Sequence, residues 1–265
     1  MRLIEILAPL TVLCLVLLFL GYTKRINKKS ALLGALLCWG SGAFFLVAAV
    51  LPWTQFYGPV SINGVATTKK IALTFDDGPY EPYTKDLLAV LQQKNVRVTF
   101  FMVGENAVKN PQLVKAVAQG GHQIGIHAWQ HRDFLRLSRA KMRMDLMQSC
   151  ATIEALTGKR PVLFRPPHGF KDFAVLKEAA TLGLTVVNWN VLPRDWTNPG
   201  IENLVNKIVK AARPGAIVLL HDGDSPYNQS SRAQTVAATG KAIDILRGEG
   251  YEFVTVEELL YSGKD

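Results

Sequence analysis

Two adjacent carboxylates, Asp76 and Asp77, close an apolar run, Ile71-Ala72-Leu73-Thr74-Phe75, and are followed at once by Gly78-Pro79. A strand that delivers charged residues at its C-terminal end, just before a turn, is how α/β folds build active sites. Neighbouring carboxylates repel, so such a pair calls for a cation or for a division of labour. A surface Asp-Asp-Gly turn is the plain alternative. What decides between them is the company the pair keeps. His127-Ala-Trp-Gln-His131 offers two imidazoles four residues apart; on a helical turn that spacing puts both on one face, within reach of one ion. With a strand-end Asp they form a two-His, one-carboxylate set that leaves positions open for water and substrate.

The elements that must position these residues alternate between strand and helix. After Pro79, Thr84 caps a helix with Leu87, Leu88 and Leu91 on one face, and residues 97–103 form a strand rich in Val and Phe. Pro111 starts a helix that Gly120-Gly121 ends, and residues 123–126 form a strand leading into His127. Ser138 caps a helix running to Leu156, closed by Gly158, and residues 162–164 form a strand ending at Arg165. Helices over 172–182, 201–212 and 233–247 alternate with strands over 184–189, 216–220 and 251–254, and a short terminal helix completes the chain. About seven β/α units of this kind predict a parallel sheet closed into a barrel-like α/β domain. In a barrel the strand ends Asp76-Asp77, His127, Arg165 and His221 converge on one face.

Thr74-Phe-Asp-Asp-Gly-Pro79, His127-x-x-x-His131, Arg165-Pro-Pro-His-Gly169, Asp195-Trp196 and Leu219-Leu-His221 stand in the order found in the polysaccharide deacetylase family. The chain thus resembles the NodB homology domain of carbohydrate esterase family 4 over residues 69–260. The resemblance implies a deformed (β/α)7 barrel and a single divalent metal, zinc. It casts Asp77, His127 and His131 as metal ligands, Asp76 as general base and His221 as general acid. Arg165 then holds the base and Asp195 tunes the acid. Trp196 and Leu219 wall the acetyl pocket, and the backbone N–H of His168 stabilises the oxyanion. The chain departs from the family pattern at Ala128, commonly Ser or Thr, at His168, commonly aromatic, and at Leu192, commonly Asp.

The front of the chain is different. Ile6–Tyr22 and Ala31–Leu51 carry no charge, and a bilayer crossing takes about 20 apolar residues. Helices at about 3–22 and 31–51 predict a transmembrane hairpin over residues 1–52. The loop 23–30 holds Lys24, Arg25, Lys28 and Lys29 and no acid, which places it in the cytoplasm. Residues 53–68 are then a short tether and 69–265 an extracytoplasmic domain. A cleaved signal peptide fits less well, because the basic cluster follows the first apolar run.

Net charge is +9. Arg2, Lys24, Arg25, Lys28 and Lys29 against Glu5 put +4 of it in residues 1–60, which leaves +5 for the rest. No Lys/Arg stripe with interleaved aromatics is present, so nucleic acid is not an expected partner. Cys14 and Cys38 lie in the apolar runs, and Cys150 is alone in the globular part, where it reads as a small core residue. His122 reads as structural, and Asp222 and Asp224 as solvated loop carboxylates. The expected activity is removal of N-acetyl groups from N-acetylglucosamine units of an envelope polysaccharide, peptidoglycan or chitin-like. A lipid-linked aminosugar at the membrane surface, and a catalytically inactive glycan-binding module, stay open beside it.

Overall fold

The computed structural model describes residues 1–224 and 230–261. Two apolar helices open the chain, α1 (Leu3–Tyr22) and α2 (Lys28–Val50). Glu5 accepts the N–H of Arg2 at 2.9 Å, and Asn27 accepts the N–H of Lys29 at 2.8 Å. Each helix start thereby satisfies a donor that has no intrahelical partner. The two helices approach through small residues: a Cβ on Gly21 would stand 2.5 Å from that of Ala31, and one on Gly34 would stand 2.8 Å from Leu17. Their outward faces leave Val12, Leu15, Phe19, Leu33, Leu37 and Trp39 exposed. Both helices are long and apolar enough to cross a membrane.

Residues 53–68 pack against both the hairpin and the globular part. Tyr57 and Val60 are buried, the Tyr57 hydroxyl donates to the carbonyl of Phe45 at 2.7 Å, and its ring meets Phe173 edge-on at 4.9 Å. The globular part runs β1 (Lys70–Asp76), α3 (Tyr83–Lys94), β2 (Thr99–Met102), α4 (Gly104–Lys109), α5 (Pro111–Gln119), β3 (Gln123–Ile126), α6 (Arg139–Thr157), β4 (Leu163–Phe164), α7 (Phe173–Thr181), β5 (Thr185–Val186), α8 (Ile201–Ala211), β6 (Ala216–His221), α9 (Ala233–Gly248), β7 (Glu252–Phe253) and α10 (Val256–Tyr261).

The strands form one curled parallel sheet in the order β5-β4-β3-β2-β1-β6. β7 pairs with the start of β1, at Lys70 and Ile71, while β2 pairs with its end, at Thr74 to Asp76. Among the described residues no ladder closes the ring between β5 and β6. The gap is spanned by single bridges: Val191 to Val218, Ser61 to Val187 and Asn63 to Ala216. The expected deformed barrel is therefore a half-barrel whose seam is filled by irregular chain.

Strand alternation sorts β1 into two faces. Ile71, Leu73 and Phe75 join the large core beneath the helices, while Ala72 belongs to the smaller core inside the barrel with Ile217, Leu219, Phe101 and Trp189. Thr74 and Asp76 continue the Ala72 face, and His221 continues that of Ile217 and Leu219. The β1–β6 register sets Thr74 against Leu219 and Asp76 against His221.

Three local expectations change. Thr84 lies inside α3, not at its cap, because its hydroxyl is taken by Asp222 Oδ2 at 2.5 Å and by the N–H of Tyr80. The helix α4 is an addition, since Gly-Glu-Asn-Ala-Val-Lys has no apolar stripe to announce it. The expected strand over 184–189 stops at Val186, where the chain leaves the sheet to fill the seam.

Candidate functional site

Asp76 ends β1 with its side chain inside the barrel. Its Oδ1 accepts from Arg165 Nη1 at 2.7 Å, and the same nitrogen donates to Thr74 Oγ1 at 2.7 Å. Thr74 and Asp76 are two residues apart on one strand and so share a face. Arg165 is fully buried. Its Nε and Nη2 donate to the carbonyls of Val187 and Asn188, both at 3.1 Å, and its guanidinium lies over the Phe101 ring at 4.1 Å. Burial pushes the Asp76 carboxyl up, the charges of Arg165 and His221 pull it back, and the result is about 6.

Asp77 turns away from its neighbour. It holds φ 74°, a left-handed conformation that costs a non-glycine residue energy. The turn is held from α4, where Asn106 Nδ2 donates to the Asp77 carbonyl at 2.8 Å. The next glycine has a positional reason: a Cβ on Gly78 would collide with the Asp222 carboxylate. Asp222 is 1% exposed, and burial first, with Asp76 and Asp77 adding to it, raises its carboxyl to about 7. The expectation that Asp222 is a solvated loop carboxylate is corrected. It packs beneath the Asp76–Pro79 turn, and its N–H donates to the Asp76 carbonyl at 3.2 Å.

The two imidazoles sit in a loop, not on the helical turn that their spacing suggests. Ala128 and His131 have φ 66° and 53°, and the N–H of Trp129 is tied to Asp145 Oδ1 at 2.6 Å. The chain curls so that both rings face Asp77. His127 Nε2 is 3.6 Å and His131 Nε2 is 3.2 Å from Asp77 Oδ1. His127 Nδ1 donates to the Arg165 carbonyl at 2.7 Å, which fixes the tautomer and turns the Nε2 lone pair inward. Burial lowers His127 well below the usual range and His131 to about 4, so both rings are neutral and able to ligate.

This cluster fits a divalent cation. Asp77, His127 and His131 offer donor atoms within 4.8 Å of one another. Asp77 Oδ1 is buried with no hydrogen-bond partner. Two nitrogens and one oxygen are donors that suit a borderline ion and leave a coordination position open.

His221 ends β6 beside Asp76. Asp195 accepts from it twice, from Nδ1 at 2.8 Å and from its backbone N–H at 2.8 Å. Thr235 Oγ1 adds a third bond to Asp195 at 3.0 Å. Burial alone would lower the imidazole, but the Asp195 charge and hydrogen bond outweigh it and raise His221 to about 9. Asp195 itself is fully buried, which raises a carboxyl, yet the His221 charge and hydrogen bonds bring it below its usual range. With Nδ1 engaged, Nε2 is the nitrogen left toward the cavity.

A cavity of about 470 Å³ opens over these groups. His168, Trp196 and Leu219 line it, joined by Trp189, Arg232 and Pro52. Trp196 lies edge-on to His221 at 5.3 Å, and His168 edge-on to His131 at 5.1 Å with φ 61°. The ten residues to which the resemblance gives a role thus lie together, eight on the cavity wall with Arg165 and Asp195 directly behind Asp76 and His221. Sequence reasoning misses Asn188, Trp189, Arg232, Asp222 and Pro52. Asn188 and Trp189 carry a faint signal as residues at the end of an expected strand; the other three reach the site only through long-range folding. His122 lies away from the cavity, in keeping with a structural role. Its Nδ1 accepts the N–H of Val98, and burial lowers it to about 4.

The sequence model described as Polysaccharide deacetylase matches residues 63–187. A peptidoglycan-N-acetylglucosamine deacetylase of Bacillus cereus is 45% identical over 194 residues, spanning 72% of this chain and 88% of that protein. A chitooligosaccharide deacetylase of Bradyrhizobium sp. is 36% identical over 202 residues, spanning 74% of this chain and 92% of that one. The solved structure of the Bc1960 peptidoglycan N-acetylglucosamine deacetylase superposes with a TM-score of 0.72 at 31% identity, covering 76% of this chain and 92% of its own. The chain belongs to the polysaccharide deacetylase family, and its curled parallel half-barrel is the fold of that family.

Two outcomes test the geometry. Arg165→Met strands the Asp76 carboxylate without its buried partner and should cost about 3–5 kcal/mol in denaturant unfolding of the purified chain. An unchanged midpoint would show that the pair is not buried together. Asp77→Ala should keep the fold by circular dichroism and lose tight zinc uptake in titration of chelator-stripped protein, and full metal content by elemental analysis would sink the ligand assignment.

Proposed function

We propose that this chain is a membrane-anchored, metal-dependent N-deacetylase that removes acetyl groups from N-acetylglucosamine units of a cell-envelope glycan. The observation that carries the reading is the β1–β6 register, which sets Asp76 beside His221 at the rim of a three-donor cluster in one cavity. The names of the relatives supply the substrate class: peptidoglycan and chitooligosaccharides.

Asp77, His127 and His131 would hold the ion, and zinc suits their two nitrogens and one oxygen. Such an ion, when bound, acidifies a water and polarises the acetamide carbonyl. Asp76 takes the proton of the attacking water. Arg165 occupies Asp76 Oδ1 and so leaves Oδ2 for that task. The backbone N–H of His168 supports the oxyanion, and Trp196, Leu219 and Trp189 wall off the acetyl methyl from solvent. His221 Nε2 donates its proton to the nitrogen as the C–N bond breaks, releasing acetate and a free amine. Asp195 holds the imidazole in the tautomer and charge state this requires.

The apolar hairpin supports an anchor. Helices of a soluble core would bury their Leu and Phe, whereas α1 and α2 expose theirs almost all round. Lys24 and Arg25 between them, with Lys28 and Lys29 opening α2, support a cytoplasmic position for that end by the positive-inside rule, with the catalytic domain outside. The complete set of Asp76, Asp77, His127, His131 and His221 speaks for turnover over a glycan-binding role without catalysis.

Acetate release from chitooligosaccharides and from purified peptidoglycan, with and without chelator, tests the reaction; no release from either, with the metal site filled, would overturn it. The acid has its own signature. His221 is protonated below about 9, so kcat/KM should fall as pH rises through that value. Asp195→Asn should move this alkaline limb to lower pH with metal content unchanged. His221→Ala should lose on the order of 10²–10⁴ in rate and flatten the limb, and near-normal activity in that variant would remove His221 from the acid role.

Topology is separately testable. Alkaline phosphatase fused after Asp265 should be active, and a reporter fused within residues 23–27 should be active only if it works in the cytoplasm. The reverse pattern would contradict the orientation.

A further inference from the structure

Both ends of the apolar hairpin are fastened to the globular part, and the chain that leaves α2 reaches the cavity wall at Pro52. The N–H of Leu3, the first residue of α1, donates to Asp172 Oδ2 at 2.8 Å. Arg2 Nη2 donates to the carbonyl of Leu135 at 3.3 Å, four residues past His131. At the end of α2, the N–H of Lys171 donates to the carbonyl of Ala49 at 3.0 Å, and the Lys171 ammonium reaches the carbonyl of Leu51. Asn188 Nδ2 donates to the carbonyl of Pro52 at 2.9 Å. Lys171 and Asp172 lie two and three residues past Gly169, so the contacts fall just beyond the loop that carries His168. Ala49, Lys171 and Asp172 are fully buried, and Pro52 itself lines the cavity.

The cavity is thus held at a fixed height. From Val50, the last residue of α2, to Pro52 on the cavity wall is two residues, at most about 7 Å of extended chain. The polar headgroup layer extends about 5–7 Å beyond the hydrocarbon on each side of a bilayer. With α2 across the membrane, the cavity wall lies within or just above that layer. Trp53, beside Pro52, is 56% exposed, as suits an interfacial aromatic. Leu192, 37% exposed, adds an apolar lip to the cavity. A wall polymer stands above the headgroups and must bend down to reach such a site, whereas a sugar carried on a lipid is already there.

We propose that the substrate is an N-acetylated aminosugar carried on a membrane lipid, deacetylated while its anchor stays in the bilayer. The proposal rests on the deacetylase reading above and narrows its substrate. Water supplies the hydroxyl to the acetyl carbon and the proton to the nitrogen, the amide C–N bond breaks, and the products are acetate and the lipid-linked free amine.

The test holds surface density constant and varies height. The full chain is reconstituted in vesicles with N-acetylglucosamine joined to a lipid either directly or through a long polyethylene glycol spacer. Soluble chitotetraose and peptidoglycan fragments are run in parallel. Effective concentration at a site fixed near the headgroups falls as the spacer lengthens, so the directly linked sugar should release acetate about tenfold faster than the spaced one. Equal or faster release from the spaced glycolipid, or a clear preference for the soluble glycans, overturns the lipid-carried substrate and leaves the deacetylase reading standing. No acetate from any of the four, with metal bound, overturns both.

Discussion

The buried guanidinium of Arg165 is the interaction on which the rest of this site depends. It cannot lose its charge at any ordinary pH, and it is fully buried. Every donor must therefore find an acceptor within the barrel. Thr74 and Asp76 on β1, Val187 and Asn188 beyond β5, and the face of Phe101 on β2 supply them. The Arg165 carbonyl in turn accepts from His127, at the end of β3. One residue at the end of β4 thus ties the ends of four other strand segments together. Those segments carry the expected base, one expected ligand and the seam of the barrel. Buried ion pairs are weak sources of net stability, but they fix register and orientation well. Here the orientation leaves one Asp76 oxygen held and the other facing the cavity.

Much of this is legible in the sequence. Alternating strands and helices imply a parallel barrel, and a parallel barrel brings strand ends together, so Asp76, His127, Arg165 and His221 have to converge. What stays illegible is set by distant partners or by backbone strain. The spacing of His127 and His131 suits a helix, yet Ala128 and His131 adopt left-handed φ values and the rings meet across a loop. Asp222 looks like any loop carboxylate, because its burial depends on Thr84, 138 residues away, and on the missing Cβ of Gly78. Asp77, Ala128, His131 and His168 all carry positive φ without being glycine. Residues in that region cost of order 1–3 kcal/mol each, and surrounding structure must hold them there. They gather where side chains must point at one spot from separate loops.

The electrostatics follow from burial. Desolvation makes the two imidazoles of the His127 loop neutral, which is the state a ligand needs. The same desolvation would also neutralise His221, but Asp195 is placed to reverse it. His127, His131 and His221 therefore take two different states in one cavity, and the charge and hydrogen bond of Asp195 are the largest contributions that raise His221. His127 meets a backbone carbonyl at Nδ1, while His221 meets the charged side chain of Asp195. A carbonyl fixes a tautomer without adding charge, and a carboxylate does both.

Asn188 connects this chemistry to the front of the chain. Its backbone carbonyl accepts from Arg165, and its side-chain amide donates to the carbonyls of Gly169 and Pro52. Gly169 closes the turn that carries His168. The residue that ends the hairpin and the turn that carries the expected oxyanion donor therefore share one buried amide with the holder of Asp76. An unmade hydrogen bond on a buried amide costs about 1–3 kcal/mol. That is enough to make the hairpin junction part of the folded site and not an appendage to it. The chain that leaves α2 completes one wall of the cavity and satisfies the donors beneath it.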